Sequence, residues 1–279
     1  MEGSSSEVRC GCKGVRVCLL CEAEKQQIKT QSLHSIATNY EEYVYCEDCL
    51  KAWALSSELI QHPNHQGKVL DFPGVCIISE FITAEEEKNI VHEIDSTKWK
   101  ESQSGRLKQD YGPKVNFKRK KVKMQQFTGL PHFSCALYNR MILLDELKNF
   151  VPVELCNLDY NPSRGSAIDP HFDDFWLWGE RLVTLNLLSD SYLAMTSDKV
   201  TGEQSILVRV PLPRRSLVIL QGDARHVWKH SVPRSAIVAR RIAITLRELS
   251  DEFQAGGRLS EQGNELIERA LTFKGTAVK

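Results

Sequence analysis

His171-Phe172-Asp173, then Arg225-His226-Val227-Trp228-Lys229-His230-Ser231-Val232, then Arg241-Ile242-Ala243-Ile244-Thr245-Leu246-Arg247: these runs, all within Val151 to Leu249, decide how the chain reads. On a strand, residues two apart project to one face, so His171 and Asp173 reach a common point while Phe172 turns away. Two histidines and a carboxylate form the facial triad that holds a ferrous ion on one side and leaves positions open for a chelating cosubstrate and dioxygen. His226 and His230 share one strand parity, and periodicity does not choose between them as the second histidine. In the third run Arg241, Ala243, Thr245 and Arg247 share a face, and Ile242, Ile244 and Leu246 share the other. The first face is a sparse, charged cavity lining, where a guanidinium fork grips the carboxylate of a dicarboxylic cosubstrate.

Working outward, strands are expected at Val151–Tyr160, Leu182–Leu188, Ser205–Val210, Ser216–Leu220 and Ala236–Leu249. Turns fall at Pro162–Gly165, Pro211–Pro213 and Gly222-Asp223. Short strands broken by turn chemistry indicate a sandwich or barrel, and the ligand order fits a double-stranded β-helix, or jelly roll, over about 151–249. Flanking helices make the class mainly β within α+β. Thr83 and Glu86 form a capping box ahead of Ile90, Val91 and Ile94, and Leu137, Met141, Leu144 and Leu147 mark a second helix over Ser134–Phe150. Ser260 is a candidate N-cap for a last helix through Leu266, Ile267 and Leu271. Pro73-Gly74 is a turn before a strand at Val75–Ile78, and Trp176 and Trp178 read as packing.

The 279 residues suffice for one large domain and a small appendage, and 36 basic residues balance 36 acidic ones. A global cationic field of the kind a dedicated nucleic-acid binder carries is therefore excluded. Met1–Glu7 lacks the basic and apolar regions of a signal peptide, and no apolar run nears the roughly twenty residues that span a bilayer, so a soluble, intracellular protein without membrane contact is expected. Nine cysteines, an odd number, favour thiols and metal ligands over disulfides.

The expected organisation is a Cys-rich, metal-stabilised segment over 1–50, a linker over 51–68 and a catalytic domain over 69–279. Cys10, Cys12, Cys18 and Cys21 are candidate ligands of a structural zinc, and Cys46-x2-Cys49 offers alternatives. Gln61–Gly67 reads as linker, where His62 and His65 could bind metal but read first as solvated loop histidines. The Gly-containing segment Glu101–Lys123, ending in the basic run Lys118-Arg119-Lys120-Lys121-Val122-Lys123, is suited to closing over a substrate.

The order His-x-Asp, His-Ser-Val, Arg-Ile-Ala-Ile-Thr-Leu-Arg resembles the AlkB family of iron(II)- and 2-oxoglutarate-dependent dioxygenases. The resemblance implies that His171, Asp173 and His230 bind iron, that Arg241 binds the distal carboxylate of 2-oxoglutarate, and that Arg247 lies near its 1-carboxylate. It also assigns a cosubstrate contact to Tyr160 and implies the role of a lid for Glu101–Lys123. Where the family has Asn two residues earlier, this chain has Leu158, with Asn157 one residue out of phase. The runs Cys10–Gly14, Gln109–Phe117, Asn157–Tyr160 and Gly165–His171 resemble one vertebrate branch of the family. That branch implies oxidative demethylation of monomethylated lysine on actin, releasing formaldehyde and succinate. Actomyosin components would be its partners, and its location the cytoplasm and nucleus, with the midbody or contractile ring in dividing cells. Phe172, Phe175, Trp176 and the basic run permit a second reading, demethylation of N6-methyladenine in DNA. A reading from another class is a non-catalytic, zinc-containing interaction protein.

Overall fold

Along Ser205–Leu212 half-buried residues alternate with buried ones at every step, the pattern of a strand packed on one face, whereas all four residues of Leu217–Leu220 are buried, as in the middle of a sheet covered on both sides. The computed structural model describes Leu19 and residues 40–55, 62–197 and 205–278. In chain order from Tyr40 its elements are β1 (Tyr40–Cys46), β2 (Lys51–Ala54), β3 (Val69–Asp71), β4 (Val75–Ile78), α1 (Ala84–Ser96), β5 (Lys100–Glu101), β6 (Leu107–Tyr111), β7 (Lys114–Asn116), β8 (Lys121–Lys123) and α2 (Ser134–Met141). There follow β9 (Pro152–Tyr160), β10 (Ile168–His171), β11 (Trp178–Leu187), β12 (Ser191–Thr196), β13 (Ser205–Leu212), β14 (Leu217–Leu220), α3 (Gly222–His226), β15 (Lys229–Val232), β16 (Arg241–Leu249) and α4 (Ser260–Ala270).

Two seven-stranded sheets result, ordered β10-β15-β12-β13-β1-β2-β3 and β4-β14-β11-β16-β9-β6-β5. They are the two walls of the jelly roll. One apolar layer lies between them, with Tyr45, Val208 and Val210 from the first sheet against Leu182, Val218 and Ala243 from the second. The outer face of the second sheet carries the other layer, where Ile242, Ile244 and Leu246 meet Ile94, Met141 and Leu266 of α1, α2 and α4. The expected parity of β16 therefore holds: its isoleucines face the helices and Ala243 faces the space between the sheets. The capping box is formed, since Glu86 N–H donates to Thr83 Oγ1 at 3.1 Å and Thr83 N–H to Glu86 Oε2 at 2.8 Å. Glu87, buried on α1, accepts from Leu188 N–H and from the Arg214 fork, tying that helix to the β11–β12 turn. Among the described residues no helix is long and apolar enough to cross a membrane.

Several expectations change. β1 and β2 fall in the stretches read as Cys-rich segment and linker, yet β1 runs parallel to β13 and β2 pairs with β1 and β3, so the catalytic sheet already begins at Tyr40. Their residues are partly polar and their pairing is long-range, which local periodicity does not register. The expected lid divides: β6 pairs with β9 inside the second sheet, and only β7–β8 stands apart as a hairpin. The second helix stops at Met141, and a 3-10 turn at Asp145–Leu147 brings Leu147 inward. Ser260 is the first residue of α4 rather than its cap, which is Leu259.

The Pro73-Gly74 turn is a point of close approach. Gly74 has φ of 91°, and a Cβ there would sit 2.1 Å from the Gln221 carbonyl oxygen, while Gln221 N–H donates to Gly74 O at 2.8 Å. Both the backbone conformation and the space demand glycine. Gly74→Ala is expected to destabilise the fold by about 2 kcal/mol or more, measured as a lower urea midpoint with the slope unchanged.

Candidate active site

β10 and β15 are antiparallel neighbours whose register sets His171 opposite His230, with ring centroids 4.4 Å apart. Asp173 follows two residues beyond His171. One donor atom from each of the three lies within 4.8 Å of the others, so the three side chains could hold a metal ion. His171 and Asp173 are oriented from behind. His171 Nδ1 lies 2.8 Å from the Asp169 carbonyl, which accepts its hydrogen bond and turns Nε2 toward Asp173 Oδ1, 3.7 Å away. Asp173 Oδ2 accepts from Arg247 Nε at 2.8 Å, leaving Oδ1 as the ligand oxygen. The buried Arg225 donates to the Asp173 and Asp174 carbonyls and lies 4.4 Å from the Phe175 ring centroid. Asp174 Oδ1 caps the following turn by accepting from Trp176 N–H and Leu177 N–H.

The electrostatics match this role. Burial pushes the Asp173 carboxyl up, but Arg247 and then His230 outweigh it and hold the group well below the ordinary range. Burial, reinforced by His171, pushes His230 down to about 3. The site thus presents a carboxylate and neutral imidazole, the protonation states a metal requires.

Beside the triad runs a narrow cavity lined by Tyr160, Thr184, Arg241, Thr245 and Arg247, with Leu158, Leu182 and Val218 as apolar wall. Arg241 is buried. Its Nε donates to Asn186 Oδ1 at 2.6 Å and its guanidinium carbon lies 5.0 Å from the Tyr160 ring centroid, while its Nη1 has no hydrogen-bond partner. A buried cation with an open donor is costly without an anion, so the cavity fits a carboxylate at this end and a metal at the other. Asn186 is fixed in turn, its Nδ2 lying 2.8 to 3.0 Å from the Leu212, Ser189 and Pro213 carbonyls.

Of the two rival histidines, His230 joins the triad, while His226 turns outward to Glu180 Oε2 at 2.8 Å and stacks on Phe175. Arg247 lines the cavity as expected, and it also holds the ligand carboxylate, since its Nε donates to Asp173 Oδ2 and its Nη1 to Glu154 Oε2 at 2.6 Å. Leu158 faces the cavity, and Asn157 points away to donate to Gln109 Oε1 at 2.9 Å. Trp176 packs edge-on against Phe253. Among the described residues, none from 101–123 lines the cavity. Cys10, Cys12, Cys18 and Cys21 lie outside the described residues. A second donor cluster, Cys46, Cys49, His62 and His65, is drawn together away from the cavity, with His62 exposed and His65 half-buried in their loop.

Asn186, Glu154 and Arg225 were not singled out from sequence. Only Asn186 carried a local signal, as a lone amide in the apolar run Leu185-Asn186-Leu187.

Arg247→Met removes the partner of Asp173 Oδ2. Metal affinity is expected to fall about 10- to 100-fold, read by titrating Mn(II) into the protein. Arg247 lowers the proton affinity of Asp173, so in the variant that affinity rises and metal binding is lost at a higher pH on acidification than in the wild type.

No family model matches the chain. Relatives match along nearly its whole length. It is 46% identical to alpha-ketoglutarate-dependent dioxygenase alkB homolog 4 of Homo sapiens, over 96% of this chain and 95% of that protein. Identity to the Mus musculus protein of the same name is 45%, over 96% of each. The DNA N6-methyl adenine demethylase of Caenorhabditis elegans is 38% identical over 94% of each. The chain is an enzyme, which sets aside the reading as a non-catalytic interaction protein, and it belongs to the AlkB family of iron(II)- and 2-oxoglutarate-dependent dioxygenases.

Proposed function

We propose that the chain catalyses oxidative N-demethylation of monomethylated lysine on actin, with His171, Asp173 and His230 as iron(II) ligands and Arg241 as anchor of 2-oxoglutarate. The observation that carries the cofactor assignment is the open Nη1 of a buried Arg241 in the cavity that also holds the three metal donors. Bound iron, with 2-oxoglutarate and dioxygen, supplies the oxidation of the N-methyl group, and the hydroxymethyl amine then breaks down to amine and formaldehyde.

The protein's own work is positional. Asn186 sets the plane of the Arg241 fork, and Tyr160 covers it. Arg247 and the Arg225-held backbone keep Asp173 charged and aimed. Leu158, Leu182 and Val218 keep water from the cosubstrate channel. Leu158 offers no polar group to supplement the hold of Arg241, so the cosubstrate depends on that arginine at this end.

A polypeptide substrate fits the balanced charge of the chain, and the actin assignment itself rests on the motif resemblance. Actomyosin components would be the partners, acting in the cytoplasm, the nucleus and the contractile ring or midbody. The second reading, N6-methyladenine in DNA, is favoured by the name of the Caenorhabditis elegans relative and by the exposed β7–β8 hairpin, with Phe117, Lys118, Arg119, Lys120 and Lys121 at its tip. Phe172 and Phe175 remain available to that reading, whereas Trp176 is buried.

The test is 2-oxoglutarate-dependent formaldehyde release by iron-loaded protein from monomethyl-lysine actin and from N6-methyladenine DNA in parallel. Release from actin, abolished in His230→Ala and Asp173→Ala together with succinate, is expected; release from DNA alone overturns the actin reading. Arg241→Met is expected to raise the KM for 2-oxoglutarate about 10- to 100-fold, the worth of a charge-assisted bond in a dry site.

A further inference from the structure

β1 and β2 form a hairpin whose register places Cys46 opposite Lys51, and the intervening turn ends with Leu50 in the left-handed region at φ of 56°. Cys46 and Cys49 flank that turn. A Cys-x2-Cys wrapped round a tight turn aims both sulfurs to one side, and here backbone N–H groups aim at them: those of Asp48 and Cys49 at Cys46, and that of Lys51 at Cys49. Trp53 Nε1 donates to Cys49 Sγ at 3.3 Å. The same indole stacks on His65, with centroids 4.9 Å apart and planes 18° from parallel, and the His62 ring lies edge-on to His65 at 5.7 Å.

The four side chains converge. One sulfur or ring nitrogen from each of Cys46, Cys49, His62 and His65 lies within 4.8 Å of all the others. Tetrahedral zinc, with bonds of about 2.0 Å to nitrogen and about 2.3 Å to sulfur, separates its donors by roughly 3.3 to 3.8 Å, so modest closure of this cluster completes the site.

We propose that Cys46, Cys49, His62 and His65 bind a structural zinc ion. Two thiolates and two imidazoles select zinc over the hard, oxygen-seeking cations, and four protein ligands leave no position for substrate. The zinc clasps residues 62–65 to the β1–β2 turn and so closes the connection to β3. Because β1 pairs with β13, β13 with β12, and β12 with the His230-bearing β15, the clasp finishes the same sheet that carries the two histidines of the active site.

The test uses the full chain in a Cys18→Ser/Cys21→Ser background, which removes half of the N-terminal thiol set. Zinc content by elemental mass spectrometry is expected to drop by one ion per chain in Cys49→Ser and in His62→Ala, and the urea midpoint to fall with it. Since those variants can lose zinc simply by failing to fold, His62→Cys decides between a ligand and a bystander. It keeps the ion, and after exchange into Co(II) its thiolate-to-metal absorption rises about 1.5-fold as two thiolates become three. Absence of zinc from the background chain, zinc content unchanged in Cys49→Ser, or an unchanged Co(II) spectrum in His62→Cys overturns the proposal.

Discussion

Two guanidinium groups on one face of one strand govern this structure. Arg241 and Arg247 both point from β16 into the space between the sheets, where an uncompensated cation costs several kcal/mol. The chain answers the two differently. Arg247 is matched internally by Asp173 and Glu154, and the arrangement keeps Asp173 ionised against the burial that would neutralise it. Arg241 receives the neutral Asn186 oxygen and Tyr160, and its Nη1 stays open. One arginine therefore builds the metal site and the other waits for an anion. A divalent metal and a dianionic cosubstrate cancel each other's charge, so loading the cavity leaves its electrostatic balance nearly as the protein set it.

That division explains what was legible beforehand. Strand parity needs no tertiary knowledge, and it correctly placed Arg241, Ala243, Thr245 and Arg247 on the cavity side; His171 and Asp173 do converge, although β10 ends at His171 and Asp173 lies beyond the strand. Equally local is the Thr83–Glu86 capping box, which marks the start of α1. Choices that depend on a partner far along the chain were not legible in the residues themselves. His226 and His230 have the same parity, and what separates them is a short helix, α3, that turns His226 toward Glu180. That Arg247 also braces Asp173 could not be read either, because it shares Glu154, 93 positions away.

The N-terminal strands teach the same lesson at the level of architecture. Tyr40–Cys46 and Lys51–Ala54 are short, partly polar and flanked by polar sequence, so they read as appendage and linker. In the fold they take the open edge of β13 and extend the sheet. An unpaired β13 edge would invite association with other chains, and covering it is a structural service to the catalytic half. A hairpin this small has little core of its own, which is where the convergence of Cys46, Cys49, His62 and His65 acquires its physical sense.

Leu158 shows how rigidly the sheet holds these assignments. A one-residue slip of β9 would bring Asn157 into the cavity, but the register is pinned from both sides. Asn157 is bonded to Gln109 on β6, and the buried Asp159 accepts from Arg240 at 2.6 Å and from Arg164. Slipping the strand would bury these polar groups without partners and turn every side chain of β9 to the wrong face. The apolar residue at 158 is therefore a fixed property of this cavity. Selectivity for the cosubstrate falls on the Arg241 end, where the charge is buried and the geometry is set by Asn186.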